Sequence, residues 1–299
     1  MLLLLSEWPW TRSAACAGSI TFDSALPISK GEAILRGQVL LARASDDPSA
    51  LTRSLRSVAA SIALGFGTTE RLALFAVVPF VAQKSLDQTT PTGRVNRSSS
   101  GFANSSLFAR YTLLQRDRTG ETLRLAPFAG FEAPTGEDED SDRLGRLPRP
   151  LQPGSGSWDF FLGLALSRQT LAWEGDIDAG YRFNTGNDDF KFGDVAFADA
   201  SFQYRLLPRE LGSGVPGFLY GVIETNMEWQ EKSRVEGRVD PDSGGFRWYV
   251  DPGMQFVTRR YVLEAIVRLP AFEALNGQAL GADYEVRVGF RWNFPVPYL

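Results

Sequence analysis

Residues 281–294 read Gly-Ala-Asp-Tyr-Glu-Val-Arg-Val-Gly-Phe-Arg-Trp-Asn-Phe. Tyr284, Val286, Val288, Phe290, Trp292 and Phe294 share one parity, while Asp283, Glu285, Arg287, Gly289, Arg291 and Asn293 share the other. A strand sends successive side chains to opposite faces, so this stretch makes a strand with one wholly apolar face. A helix would mix the two sets around its circumference. Two settings produce such a strand. In a soluble sandwich the charges face bulk water, and in a transmembrane barrel they face a polar lumen while the apolar face meets lipid.

The rest of the chain decides between them. Strand-like segments recur at 31–44, 53–66, 71–84, 102–115, 121–132, 157–168, 171–183, 194–206, 217–230, 246–257, 260–270 and 281–294. Each is long enough for a tilted crossing of ~9–11 residues. Their connections alternate in length. Short ones at 67–70, 116–120, 169–170 and 258–259 separate long ones at 45–52, 85–101, 133–156, 184–193, 231–245 and 271–280. The connection 207–216 is long for its place in that series. Short turns at one end and long loops at the other, with an even strand number, are the signature of an outer-membrane barrel. The fold class expected is therefore all-β, a transmembrane antiparallel up-and-down barrel of about twelve strands, its short turns periplasmic and its long loops extracellular.

Parity holds inside the strands as well. On 171–183, Leu171, Trp173, Ile177, Ala179, Tyr181 and Phe183 oppose Glu174, Asp176, Asp178 and Arg182. Tyr261, Leu263, Ala265, Val267 and Leu269 oppose Glu264 and Arg268 on 260–270, and Phe246, Trp248 and Val250 oppose Arg247 and Asp251 on 246–257. An Arg or Lys facing the lipid midplane costs ~2–4 kcal/mol, which keeps such a phase in place. Strand 71–84 is apolar on both faces and is expected to border a less polar part of the lumen. Trp158, Trp173, Trp229, Trp248, Tyr284 and Trp292 fall near strand ends, as interfacial girdles do.

Composition agrees. The longest apolar run, 72–82, is too short for a spanning helix of ~20 residues, a test that barrel strands escape. The net charge is −4, and no basic cluster suggests nucleic acid. The sequence has no His, which removes Ser-His-Asp and Cys-His catalysis, so no enzyme activity is expected. Cys16 is the only cysteine, leaving no intrachain disulfide. Ala15 and Ala17 fit an A-x-A cleavage site, so residues 1–17 are read as a degenerate signal peptide and 18–299 as one barrel domain. The leader lacks a basic start, and Glu7, Pro9 and Arg12 interrupt its apolar core. Ser13-Ala-Ala-Cys16 has a weaker likeness to a lipoprotein box; the plainer reading is that Cys16 leaves with the leader.

Several phrases carry a family resemblance: Arg-Leu-Ala-Leu-Phe-Ala-Val-Val-Pro-Phe (71–80), Ser-Leu-Phe-Ala-Arg-Tyr-Thr-Leu (106–113), Ala-Pro-Phe-Ala-Gly-Phe-Glu-Ala-Pro-Thr-Gly (126–136), Gly-Ser-Gly-Ser-Trp-Asp (154–159), Tyr-Arg-Phe-Asn-Thr (181–185), Val-Pro-Gly-Phe-Leu-Tyr-Gly (215–221) and Pro-Gly-Met-Gln-Phe-Val-Thr-Arg-Arg (252–260). As a set, over residues 26–294, they resemble the transporter-like outer-membrane proteins grouped with the meta-pathway of phenol degradation. The resemblance implies uptake of aromatic or other small hydrophobic compounds and assigns no functional residue. The chain departs from the usual barrel ending by continuing past Phe294 with Pro295-Val-Pro-Tyr-Leu299.

The parity assigns a set of charged lumen candidates: Glu174, Asp176, Asp178, Arg182, Asp199, Arg205, Glu224, Glu228, Arg247, Asp251, Glu264, Arg268, Glu285, Arg287 and Arg291. Acidic groups opposed to Arg across a narrow bore would make a selectivity constriction; the plainer alternative is a structural charge network. The loop carboxylates Glu137, Asp138, Glu139 and Asp140 have a spacing that hard cations accept, although a solvated acidic loop explains them more simply. As the longest loop, it could also fold into the mouth. No cofactor is expected. The expected surroundings are outer-membrane lipid and lipopolysaccharide, a small-molecule substrate and the outer-membrane assembly machinery of a Gram-negative bacterium. Passive or facilitated passage of small compounds is the leading functional expectation, and a structural or adhesive barrel with a plugged lumen is the other.

Overall fold

The computed structural model describes residues 18–91, 93–210 and 217–296. The predicted signal peptide, with Cys16, lies outside the described residues. The strands in chain order are β1 (Glu32–Ala44), β2 (Ser54–Gly67), β3 (Leu72–Thr90), β4 (Gly93–Phe102), β5 (Ser105–Tyr111), β6 (Leu114–Arg118), β7 (Glu121–Ala133), β8 (Ser141–Asp142), β9 (Gly145–Arg146), β10 (Asp159–Thr170), β11 (Trp173–Phe183), β12 (Gly186–Asn187), β13 (Phe190–Lys191), β14 (Val195–Leu207), β15 (Phe218–Gln230), β16 (Arg234–Val235), β17 (Arg238–Val239), β18 (Gly245–Val257), β19 (Tyr261–Leu275) and β20 (Tyr284–Pro295).

Twelve antiparallel crossings close into one barrel. β20 pairs with β1, and β7 pairs with β10, so the sheet has no open edge in its middle. Closure matters because an unpaired edge in hydrocarbon would leave a row of unsatisfied backbone groups. The fourth crossing is broken into β4, β5 and β6, interrupted at Ala103–Asn104 and Thr112–Leu113. Large apolar side chains such as Val39, Ile62, Leu162, Ile177, Leu263 and Val288 point outward and are exposed, the arrangement a lipid-facing wall requires.

At the periplasmic end, the turns 68–71, 171–172 and 258–260 repeat one device. The hydroxyls of Thr68, Thr170 and Thr258 donate to the carbonyls of Leu72, Trp173 and Tyr261 at 2.9, 3.0 and 2.9 Å, clamping each return strand. In the turn 119–120, Gly120 takes φ +76°, a backbone region that favours glycine.

The opposite end differs from expectation in one place. Residues 85–101, read above as a long loop, are a hairpin. β3 runs on to Thr90 and β4 returns from Gly93, beyond the level at which the barrel closes. The stretch is rich in Ser, Thr and Arg, yet it pairs residue by residue across a tight turn at Pro91. β19 likewise extends to Leu275, past the expected end at 270.

The long loops interlock into a cap. Leu147 and Leu151 of the loop 134–158 and Leu280 of the loop 276–283 pack on Ala44, Leu55 and Leu86 at the strand ends. Arg53 pairs with Asp47 and also donates to the Gln278 carbonyl. Strands β12, β13, β16 and β17 form a small sheet that joins the loops 184–194 and 231–244.

Candidate functional site

Inside the barrel the inward parity of β11, β14, β15 and β18–β20 carries the charges. Glu174, Asp176, Asp178, Arg182, Asp199, Glu224, Glu228, Arg247, Asp251, Glu264, Arg268, Glu285, Arg287 and Arg291 are all buried within the wall. Arg205 shares their parity but sits at the periplasmic rim, donating to the Leu171 carbonyl at 2.8 Å with its guanidinium 5.7 Å from the Phe218 ring. It therefore stands apart from the acidic group with which the sequence placed it.

The charges are segregated rather than interleaved. Asp178 lies beside Asp199 across β11 and β14, and Glu224 beside Asp251 across β15 and β18. Arg36, Arg268, Arg287 and Arg291 occupy the wall of β19, β20 and β1, around Glu264 and Glu285. Glu264 accepts from Arg36 at 2.6 Å and from Gln38 at 2.9 Å, and pairs with Arg291 at 2.7 Å. Arg268 reaches Asp251 at 3.2 Å and Glu285 at 3.9 Å. Carboxylates thus predominate on β11, β14 and β15, and guanidinium groups on β19, β20 and β1, the two stretches meeting at Asp251 and Arg268.

Parity within the strands gave no sign of what lies between them. Residues 18–28, which precede β1, run through the lumen as a strap, and all but Pro27 are buried. The wall grips this strap through its backbone. Glu224 accepts from the Ile20 and Thr21 amides at 2.6 and 2.9 Å and from the Thr21 hydroxyl. Arg36 donates to the Ile20 carbonyl at 2.6 Å, Gln255 to that of Gly18 at 2.8 Å, and Arg291 to that of Ser19 at 2.8 Å. Further along, the Ala25 amide donates to the Ser167 hydroxyl at 2.8 Å, which in turn donates to Asp176. Arg110 holds Asp23 at 2.7 Å and the Leu26 carbonyl at 2.6 Å.

A second region also escaped the sequence reading. Phe75 on β3, Phe108 on β5, Phe128 on β7, Phe161 on β10 and Phe197 on β14 are inward-facing and form one apolar cluster with Ala25, Leu26 and Ile28 of the strap. Phe75 and Phe108 stack at 4.6 Å with planes 10° apart, and Phe108 meets Phe161 edge-on at 5.8 Å. The belt lies against glycines. An added Cβ at Gly163 would stand 2.3 Å from the Phe128 ring, and one at Gly180 would stand 2.4 Å from the Phe197 ring. The signal was present, because these phenylalanines share parity with Arg110, Arg124, Asp159 and Asp199, the polar face of their strands. The expected apolar stretch of lumen on β3 is found here, as Ala73, Phe75 and Val77.

Two cavities flank the strap. One of about 310 Å³ opens at the periplasmic side between Leu26, Ile28, Arg124, Gln169 and Asn293. The other, about 30 Å³, is walled by Phe108, Phe128, Phe161 and Phe197 with Asp23, Asp178 and Arg182.

The acidic loop uses its carboxylates between loops. Asp138 pairs with Arg149 at 2.8 Å and accepts from Asn187 at 2.8 Å, while Asp142 takes Arg97 at 2.7 Å. The Arg97 hydrogen bonds hold the Asp142 carboxyl below the usual carboxylate range. Glu139 comes within 3.8 Å of Arg146. Among the described residues, no three acidic, Cys or His side chains gather as a metal site would require.

A closed twelve-stranded barrel with a lipid-ready exterior, a charged lumen, short turns at one end and interlocked loops at the other defines a Gram-negative outer-membrane β-barrel. The family model described as "Putative MetA-pathway of phenol degradation" matches residues 52–267, well over half of the chain, and the protein belongs to that family. Among solved structures, an outer-membrane channel from Pseudomonas putida F1 superposes with a TM-score of 0.68 at 15% identity, covering 89% of this chain and 97% of that one. The β domain of the Bordetella autotransporter BrkA (TM-score 0.48, 14% identity, 89% and 100% covered) and the NanC porin (0.44, 10%, 87% and 98%) are more distant. At these identities the likeness shows the fold alone. A search of curated proteins returned no match.

Proposed function

We propose that the protein is a gated channel for uptake of small hydrophobic or aromatic compounds, with the strap as its closure. The observation that supports this most is that the bore is filled by a segment separate from the wall. A barrel of about eight strands can be filled by its wall side chains, whereas a twelve-stranded bore is wider. Here the filling is a single pass of chain that precedes β1, held by polar bonds to charged wall side chains and bordered by a 310 Å³ vestibule. A hydrogen bond to a charged group is worth ~1.5–3 kcal/mol, so release of the whole strap needs compensating contacts from a ligand, whereas moving one end breaks only a few bonds. Outer-membrane lipid surrounds the barrel; contact with lipopolysaccharide and insertion by the outer-membrane assembly machinery belong to the same proposal.

The interlocked loop cap favours a second reading, a structural or adhesive barrel whose lumen stays closed. Planar-bilayer recording separates the two. Glu224→Ala removes the acceptor for two strap amides and one hydroxyl, so it should raise open probability several-fold over the unaltered chain. Silence from both proteins at every applied potential would leave the closed barrel standing.

A further inference from the structure

The lumen of an outer-membrane barrel is ordinarily polar. Five inward phenylalanines on β3, β5, β7, β10 and β14 therefore need an explanation, and the strap supplies only part of one. Ala25, Leu26 and Ile28 cover the belt from the periplasmic side. The rings Phe108, Phe128, Phe161 and Phe197 nevertheless keep a residual space of about 30 Å³ behind the strap. That space cannot hold a six-membered ring, for which an apolar cavity of ~150 Å³ is adequate. Leu26 lines the 310 Å³ vestibule and belongs to the same apolar cluster as the belt, which sets the strap's apolar end between the vestibule and the rings. Moving that end aside would join the two spaces into a chamber large enough for a ring, with aromatic walls already in place.

The polar groups of the pocket balance. Asp23 is paired with Arg110, and Asp178 and Arg182 contribute one charge of each sign from β11. An ion of either sign would therefore meet an unfavourable neighbour, whereas an uncharged ring meets none. Phenylalanine faces and edges favour an aromatic ring over a saturated one of equal size.

We propose that the phenylalanine belt is a binding site for an uncharged monocyclic aromatic compound, and that Leu26 and Ile28 of the strap are its built-in competitor. The proposal rests on the channel reading, giving it a substrate subsite and a closing mechanism in which ligand and strap exclude one another. The test is ¹⁹F NMR titration of the full chain in detergent with 4-fluorobenzyl alcohol. Cyclohexylmethanol, followed by competition, serves as the saturated control, and 4-fluorobenzoate as the charged one. Leu26→Ala should tighten 4-fluorobenzyl alcohol binding at least fivefold over the unaltered chain. Adding Phe161→Leu to Leu26→Ala should weaken it at least tenfold. Where that double variant fails to give a heat-modifiable folded band, Phe197→Leu is read in its place.

Equal binding of cyclohexylmethanol, tighter binding of the benzoate, or no change with Leu26→Ala would overturn the site. Conductance recorded on the same preparations keeps the two claims apart. A conducting barrel that fails to bind the ring removes the subsite alone, and a silent barrel that binds it removes the channel alone.

Discussion

The two halves of the lumen solve one problem in opposite ways. On β18–β20 and β1 the strap is held by guanidinium and amide side chains donating to its carbonyls, with Glu264 neutralising Arg36 and Arg291. On β3, β5, β7 and β10 apolar contact between Leu26, Ile28 and the phenylalanine belt joins the polar bonds of Arg110 and Ser167. A backbone grip takes little notice of which side chains the strap carries at 18–21, whereas the aromatic grip depends on Leu26 and Ile28. The first half fixes where the strap lies, and the second decides what can replace it.

The largest expected effect is in the charged half. Glu264→Gln removes the carboxylate that Arg36 and Arg291 share, and leaving buried guanidinium charge uncompensated costs ~3–5 kcal/mol. Urea unfolding of the barrel in lipid vesicles should show that loss. Adding Arg36→Met should return part of it, because one of the two stranded charges is then gone. Losses that simply add would mean the charged half is not the coupled network the distances describe.

Next in size is a reversal of inside and outside on β20. Val288, near the middle of that strand, is 56% exposed on the lipid side, while Glu285 is 2% exposed in the lumen. Val288→Arg should cost ~2–4 kcal/mol in the same unfolding measurement. Nitroxides at the two positions should respond to lipid-dissolved oxygen at 288 and only weakly at 285. Equal responses would break the assignment of faces on which both halves depend.

In the aromatic half, Gly163→Ala tests the close fit of ring on glycine. The new methyl would stand 2.3 Å from the Phe128 ring and 2.7 Å from the Ala179 carbonyl, and that carbonyl belongs to a paired strand that cannot retreat. Overpacking of this kind costs ~1–3 kcal/mol. A neutral result would show that the belt is loose enough to move without the strap.

The same contrast explains what was legible in the sequence. Period-two alternation on 171–183 or 281–294 is local, and lipid penalises every error of phase, so the twelve crossings are legible in the sequence, and the charged candidates on their polar parity, Arg205 apart, are buried inside the barrel. Parity gives the face of a strand but not the depth, and Arg205 lies at the rim. The hairpin 85–101 was missed because its alternation is polar against polar outside the bilayer, where nothing penalises a break in pattern. The strap was invisible for a different reason. Gly18–Ile28 is ordered by wall residues such as Glu224 and Arg291, hundreds of positions away, and largely through its backbone, which leaves little trace in side-chain pattern. The phenylalanine belt lay in plain view as aromatics on polar parity, but parity was used to find lipid-facing aromatics and not to ask which aromatics broke the rule.

The smallest effect expected lies outside both halves, in the loop cap, and its sign can be worked through. Burial alone would raise the Asp47 carboxyl, but hydrogen bonds from the Arg53 side chain and amide, together with those from Ser49, outweigh it and hold the group well below the usual carboxylate range. A carboxyl depressed in the folded state contributes stability that is fully present above its unfolded value, near ~3.9, and is lost as pH falls toward the folded one. Proteolytic nicking in the loop 45–53 should therefore stay flat from neutral pH to about 5 and begin to rise only below about 4. Asp47→Asn should raise nicking already at neutral pH and flatten the acid limb, because the charge that titrates has been removed. Arg53 also holds the Gln278 carbonyl, so the loosening should spread to the loop 276–283 and leave strap-dependent conductance unchanged. Conductance that followed the nicking instead would tie cap to strap, and the two halves of the lumen would have to be treated as one device with the loops above them.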